Sequence, residues 1–158
     1  MSDRGNFFLT PRQGTYLMGI ANFSGAAFAA LLVERYNRKF LMLTGHALMT
    51  VALFLIALFQ VYELGIEVVL MMMIYLIFFQ CTEGPICWLY TSEVVADAAL
   101  GICVLSLMVF CFLVSLLTPA AIELLTTEGV FFVLSVFCAL GGVFYLIYMK
   151  ETKGLSDN

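Results

Sequence analysis

The chain has 158 residues, 63% of them hydrophobic and only 11% charged, with a formal net charge of −4 and a mean hydropathy of +1.06. Soluble domains are near a quarter charged, so this composition excludes a soluble globular domain and points to an all-α membrane protein. The negative charge sits in short loops and at the chain ends, which argues for the lipid bilayer as solvent and against a nucleic-acid partner.

The opening residues, "MSDRGNFFLTPRQGT", lack a basic region that runs directly into a short apolar core and a cleavage site, so no removable signal peptide is read there. Residues 1–13 are expected to form an extracellular or lumenal segment. Apolar runs of about 20 residues follow, each able to cross roughly 30 Å of hydrocarbon. Five crossings are predicted, at about 14–33, 40–61, 67–90, 99–121 and 129–149, making one membrane domain over 14–149 with a cytoplasmic tail over 150–158. The connections "ERYNRK", "YELGIE", "TSEVVADA" and "ELLTTE" are short, so neighbouring helices should run antiparallel and pack. Cytoplasmic flanks retain positive charge. An outside N-terminus puts Arg35, Arg38, Lys39, Lys150 and Lys153 inside, against Arg4 and Arg12 outside.

Along the first run, Thr15, Gly19, Asn22, Gly25, Ala26 and Ala29 recur at spacings of three and four, which predicts one small-residue side for close helix approach. Asn22 stands apart, because an amide in hydrocarbon needs a partner, either in a neighbouring helix or in a polar ligand. In the second run, His46 is expected to be a packed histidine near the inner interface.

The third run contains "QCTEGPICWLY", residues 80–90. Gln80, Glu83, Cys87 and Thr91 would share a face if the helix were continuous, but Pro85 removes a backbone bond and should displace Glu83 and Gly84 from helical geometry. Broken membrane helices are tolerated where they line a protein cavity. A lipid-facing charge at mid-membrane costs on the order of 3 kcal/mol, and no Lys or Arg lies within the five runs. Glu83 is therefore expected to be neutral, hydrated by a cavity, or paired outside this chain. Trp88 can act as an interfacial anchor or as a flat platform for a ring-shaped polyol.

In the fourth run, Ser106, Ser115 and Thr118 are expected to bond back to their own helix or to a neighbour. The five cysteines all lie in apolar runs with no Cys-x-x-Cys pair. They read as small fillers, without disulfides, metal or cofactor.

Taken in order, these stretches resemble the C-terminal half, helices 8 to 12, of the sugar porters of the major facilitator superfamily. "GIANFSGAAFAALLVERYNRKFLMLTGHALM" is similar to the eighth helix, its basic cytoplasmic turn and the start of the ninth. "GPICWLYTSE" is similar to the tenth-helix Gly-Pro-x-Pro-Trp segment with its following Glu, and "ETKGLS" to the Pro-Glu-Thr-Lys-Gly signature after the twelfth helix. The resemblance implies alternating access, with substrate held between two six-helix bundles that rock against each other. It implies that Asn22, Gln80 and Trp88 contact sugar and that Gly84 and Pro85 form a gating bend. It further implies that Glu34, Arg38, Lys39, Glu93, Glu151 and Lys153 belong to a cytoplasmic charge motif.

Several positions depart from the family pattern. Asn37 replaces the turn glycine, Cys87 the second proline and Lys150 the proline before Glu-Thr-Lys-Gly, while Val94, Val95 and Leu100 stand where the family has Pro and Arg. The seventh-helix glutamines of the family have no counterpart among Gln13, Gln60 and Gln80. The expected function is transport of a sugar or similar polyol, with the chain as a C-terminal fragment or short form whose partner is the missing N-terminal half. The alternative is a transport-inactive truncated protein that associates with a full-length carrier or with itself, in the plasma membrane or an internal one. No paired Asp, Ser/His arrangement or metal-ligand set supports an intramembrane enzyme.

Overall fold

The computed structural model describes residues 11–150. Glu151 and Lys153, most of the segment expected outside and nearly all of the tail lie beyond those residues. Among the described residues every regular element is helical: α1 (Pro11–Arg35), α2 (Arg38–Val61), α3 (Gly65–Cys81), α4 (Glu83–Val94) and α5 (Asp97–Tyr148). α1 opens on a proline, whose missing N–H would have had no intrahelical partner there. The first two predicted crossings correspond to α1 and α2, and helix extends into the expected loops until only Tyr36 and Asn37 separate the two.

The predicted crossing at 67–90 is two helices, and the break is not where the proline suggested. Thr82 leaves helical geometry (φ −124°, ψ −70°), whereas Glu83 already begins α4. Pro85 is thus the third residue of α4, in the first turn, where a backbone N–H lacks an intrahelical acceptor and its loss costs no hydrogen bond.

The last two predicted crossings form α5, which is kinked at Thr126 (φ 64°, ψ 168°). Its apolar stretch of 50 residues spans about 75 Å at 1.5 Å per residue, far more than one hydrocarbon thickness. The kink divides it into arms 97–125 and 127–148, each long enough for one crossing. The expected six-residue loop shrinks to a single non-helical residue. Ser106 and Thr118 donate to Ile102 and Val114, one turn back in the same arm.

α2 is the central helix. Its buried residues Leu41, Met42, Gly45, Met49, Ala52, Leu53, Ile56 and Ala57 recur every three or four positions, the period of a packed helix face, and it contacts both α3 and the second arm of α5. Ser135 donates to the Thr50 carbonyl at 3.1 Å, tying that arm to α2. A core of Leu41, Met42, Ile86 and Met149, flanked by Leu32, Val33, Cys87, Tyr90 and Tyr145, closes the end of the bundle nearest the α1–α2 turn. In lipid such packing is driven by close contact rather than by escape from water. The many exposed apolar side chains, Phe137, Leu140 and Ile147 among them, suit a solvent as apolar as themselves.

Candidate functional site

The small-residue side of α1 separates into two rows. Ala21, Gly25 and Ala29, spaced by four, are buried. A Cβ at Gly25 would come within 2.8 Å of Gln80 Cβ and 3.1 Å of the Ile77 carbonyl oxygen, so this row is where α1 and α3 touch. Thr15, Gly19, Asn22 and Ala26 form the other row, which with Met18, Phe23 and Leu76 lines an open groove of about 480 Å³. The expected single face is thus one packed row beside one open row.

Gln80 bridges the two. Its Nε2 donates to Asn22 Oδ1 at 2.5 Å. On its other side Gln80 Oε1 lies against Gly84, where a Cβ would come within 2.5 Å of it. Joined this way, Asn22 keeps its NH₂ donors and one carbonyl lone pair at the groove it lines, and the Gln80 carbonyl keeps its acceptor capacity on the side of Gly84. Trp88 follows Gly84 by four residues on α4, on the same side of that helix, and is 45% exposed. The structure therefore brings together Asn22, Gln80 and Gly84, sets Trp88 one turn further on, and places Pro85 in the first turn of α4. Such a surface offers amide donors and acceptors for hydroxyl groups and an aromatic face for apolar C–H groups.

At the closed end of the bundle, Arg38 Nη2 and Glu93 Oε1 pair at 2.5 Å, with side-chain exposures of 16% and 26%. Lys39 Nζ donates to the Leu146 carbonyl at 3.0 Å. These contacts tie the start of α2 to the end of α4 and to the second arm of α5. Glu34 lies one residue before the α1 terminus and is also engaged in an interaction.

Of the three alternatives for Glu83, the one that placed its partner outside this chain is corrected. Its partner lies inside the chain: His46 Nδ1 of α2 stands 2.5 Å from Glu83 Oε1. Neither atom meets hydrogen-bond geometry in this approach, and the contact is an ion pair only when His46 is protonated. Counting only Lys and Arg as counter-ions hid this contact, and 37 positions of sequence separate two residues that helix packing brings together. The signal was available: His46 is the single histidine, and Gly45 before it lets the broken helix come close.

The sequence profile of the "Sugar (and other) transporter" family matches residues 6–157. The chain is 31% identical over 153 residues to the "Probable metabolite transport protein CsbC" of Bacillus subtilis (strain 168), covering 90% of this chain and 33% of that protein. Against the "Glucose transporter GlcP" of Staphylococcus epidermidis it is 27% identical over 152 residues, covering 90% and 34%. The inward-open xylose transporter XylE from E. coli superposes with a TM-score of 0.83 at 24% identity, over 90% of this chain and 33% of that one; this likeness establishes the fold, a partial major-facilitator bundle. The chain spans about a third of the length of these proteins.

Proposed function

The chain belongs to the sugar (and other) transporter family and is an integral, multi-pass membrane protein; from that premise we propose that it forms part of a carrier that moves a sugar or similar polyol by alternating access. The observation that carries the proposal is the Asn22–Gln80 amide pair beside an open groove, where Thr44, Thr50, Thr91, Ser106 and Thr118 instead bond within their own helices. Asn22 and Gln80 hold sugar hydroxyls, and Trp88 packs against the ring. The Thr82 break, with Gly84 and Pro85 following it, lets α4 swing against α3. Arg38–Glu93 and Lys39 fasten the cytoplasmic side, and Glu34, Glu151 and Lys153 join that charge motif. The remaining sugar contacts come from the part of the two-bundle fold that this chain does not include.

Expression of the native-locus product in cells lacking endogenous hexose transport tests this reading. Saturable uptake of a hexose or polyol above the vector background is expected, and uptake equal to vector for every sugar and polyol tried refutes it. A second reading is favoured by the first arm of α5, where Ile102, Leu105, Phe110, Phe112 and Leu117 are each at least 60% exposed. That surface suits a short membrane protein that associates with a full-length carrier or with itself. Copurification of such a partner without transport by the chain's own product supports this alternative.

A further inference from the structure

Consecutive residues of α2 meet consecutive residues of the broken helix. Gly45 lies against Thr82, whose side chain would overlap any Cβ added there, and His46 pairs with Glu83. Local capping does not explain why the break sits here. Thr82 precedes α4 but makes no side-chain cap bond; its hydroxyl turns back to the Phe78 carbonyl of α3 at 2.7 Å. The start of α4 is held instead by contacts to α2.

Those contacts are largely enclosed, with His46 also lining a pocket between α2 and the second arm of α5. His46 and Glu83 are each 12% exposed at the side chain. Tyr145 of α5 meets the imidazole edge-on, with ring centroids 4.7 Å apart at 84°. Gly141 and Gly142 make room for it, since a Cβ at Gly141 would approach His46 Nε2 to 3.1 Å and one at Gly142 would approach His46 Cβ to 3.3 Å. Cys138 of α5 contacts the His46 carbonyl. Tyr75 of α3, Cys87 of α4, and Cys138 and Tyr145 of α5 are the other titratable groups around Glu83. No Lys or Arg occurs between positions 40 and 149, and among the described residues His46 is the basic side chain that meets Glu83, its counter-ion when protonated. A buried charge left without its partner is strongly disfavoured, which couples the position of Glu83 to that of α2.

We propose that the His46–Glu83 pair is a positioning clamp that fixes where the α3–α4 helix breaks and, resting on the reading of this chain as part of a sugar carrier, sets how fast that break flexes during transport. No hydrogen bond or ion pair joins either residue to the Asn22–Gln80 pair. The clamp acts through Thr82 and Gly84, which lie on either side of Glu83.

The test uses the native-locus product reconstituted in liposomes, with His46→Asn, Glu83→Gln and the double variant. Two quantities are measured: maximal sugar flux per folded molecule, and backbone hydrogen–deuterium exchange across 78–86. Each single variant is expected to lower maximal flux on the order of tenfold, with the double variant no slower than the worse single one. Exchange across 78–86 is expected to rise while the rest of α3 and α4 stays as in the wild type. A purely structural role would reduce the amount of folded protein and leave flux per molecule unchanged, and that result overturns the proposal. So does exchange across 78–86 equal to wild type, or a double variant slowed by the product of the two single effects. Glu83→Asp keeps the charge and shortens its reach, with the same rise in exchange expected, and covers the case in which the neutral variants do not accumulate. Exchange needs no substrate. If the wild type carries no sugar, the transport reading falls and exchange alone decides the clamp; if wild-type flux is present but the variants match it in both measurements, the clamp falls and the transport reading stands.

Discussion

Polar side chains within the spans divide by where their hydrogen bonds go. Thr44, Thr50 and Thr91 each donate to a carbonyl one turn back in their own helix, which satisfies the hydroxyl locally. Asn22 and Gln80 bond instead to each other, across two helices and beside the groove. An intramolecular hydrogen bond contributes about 1 kcal/mol net, so Asn22→Ala or Gln80→Ala should weaken half-saturation for sugar by roughly five- to tenfold, read from flux against concentration. Trp88→Phe should keep most of the affinity and Trp88→Ala should lose it, because the proposed contact is a flat apolar face. Arg38–Glu93 is a partly exposed pair, worth no more than about 1 kcal/mol of stability. Arg38→Gln and Glu93→Gln should therefore leave the melting temperature nearly unchanged while altering the balance between inward- and outward-facing forms, measured by side-specific labelling of the reconstituted protein.

At the scale of elements, α2 is where close approach matters most. Enlarging Gly45 forces Thr82 away from the helix that holds the break, and such overpacking costs about 1–3 kcal/mol. Gly45→Val should lower thermal stability measurably in detergent, whereas Gly19→Ala, with open space around it, should not. Thr126 is β-branched at positive φ, a region that strongly favours glycine, and such strain costs on the order of 1–3 kcal/mol. Thr126→Gly should therefore raise the melting temperature. Helix positions and the existence of a break were legible in the residues, because run length and the Gly84-Pro85 pair carry that information. The place of the break was not, since it depends on Gly45 and His46 approaching from another helix. Asn22 and Gln80 were each legible as unusual polar residues, but their pairing required the α1–α3 contact at Gly25. The division of the small-residue stripe into packed and open rows likewise depended on which neighbour α1 meets.

For the whole molecule, the charge distribution predicts orientation. The turn at Tyr36–Asn37, flanked by Arg35 and Arg38, should be reachable only from the cytoplasmic side, and residues 62–64 only from the opposite side; epitopes inserted at each point and probed in intact and permeabilised cells check this. Mass separates the two functional readings. Two-bundle alternating access needs about twelve crossings, so a carrier carrying a C-terminal tag at the native locus should run at roughly three times the 17.6 kDa of this chain, whereas an associating short form should run near 17.6 kDa itself. The central claim, sugar movement by alternating access through the site around Asn22 and Gln80, is tested most directly by counterflow. Liposomes containing the native-locus product are loaded with unlabelled sugar and diluted into labelled sugar. The account predicts a transient overshoot of labelled sugar inside the liposomes, weakened in Asn22→Ala. A monotonic approach to equilibrium that matches protein-free liposomes, for every sugar and polyol tested, would contradict it.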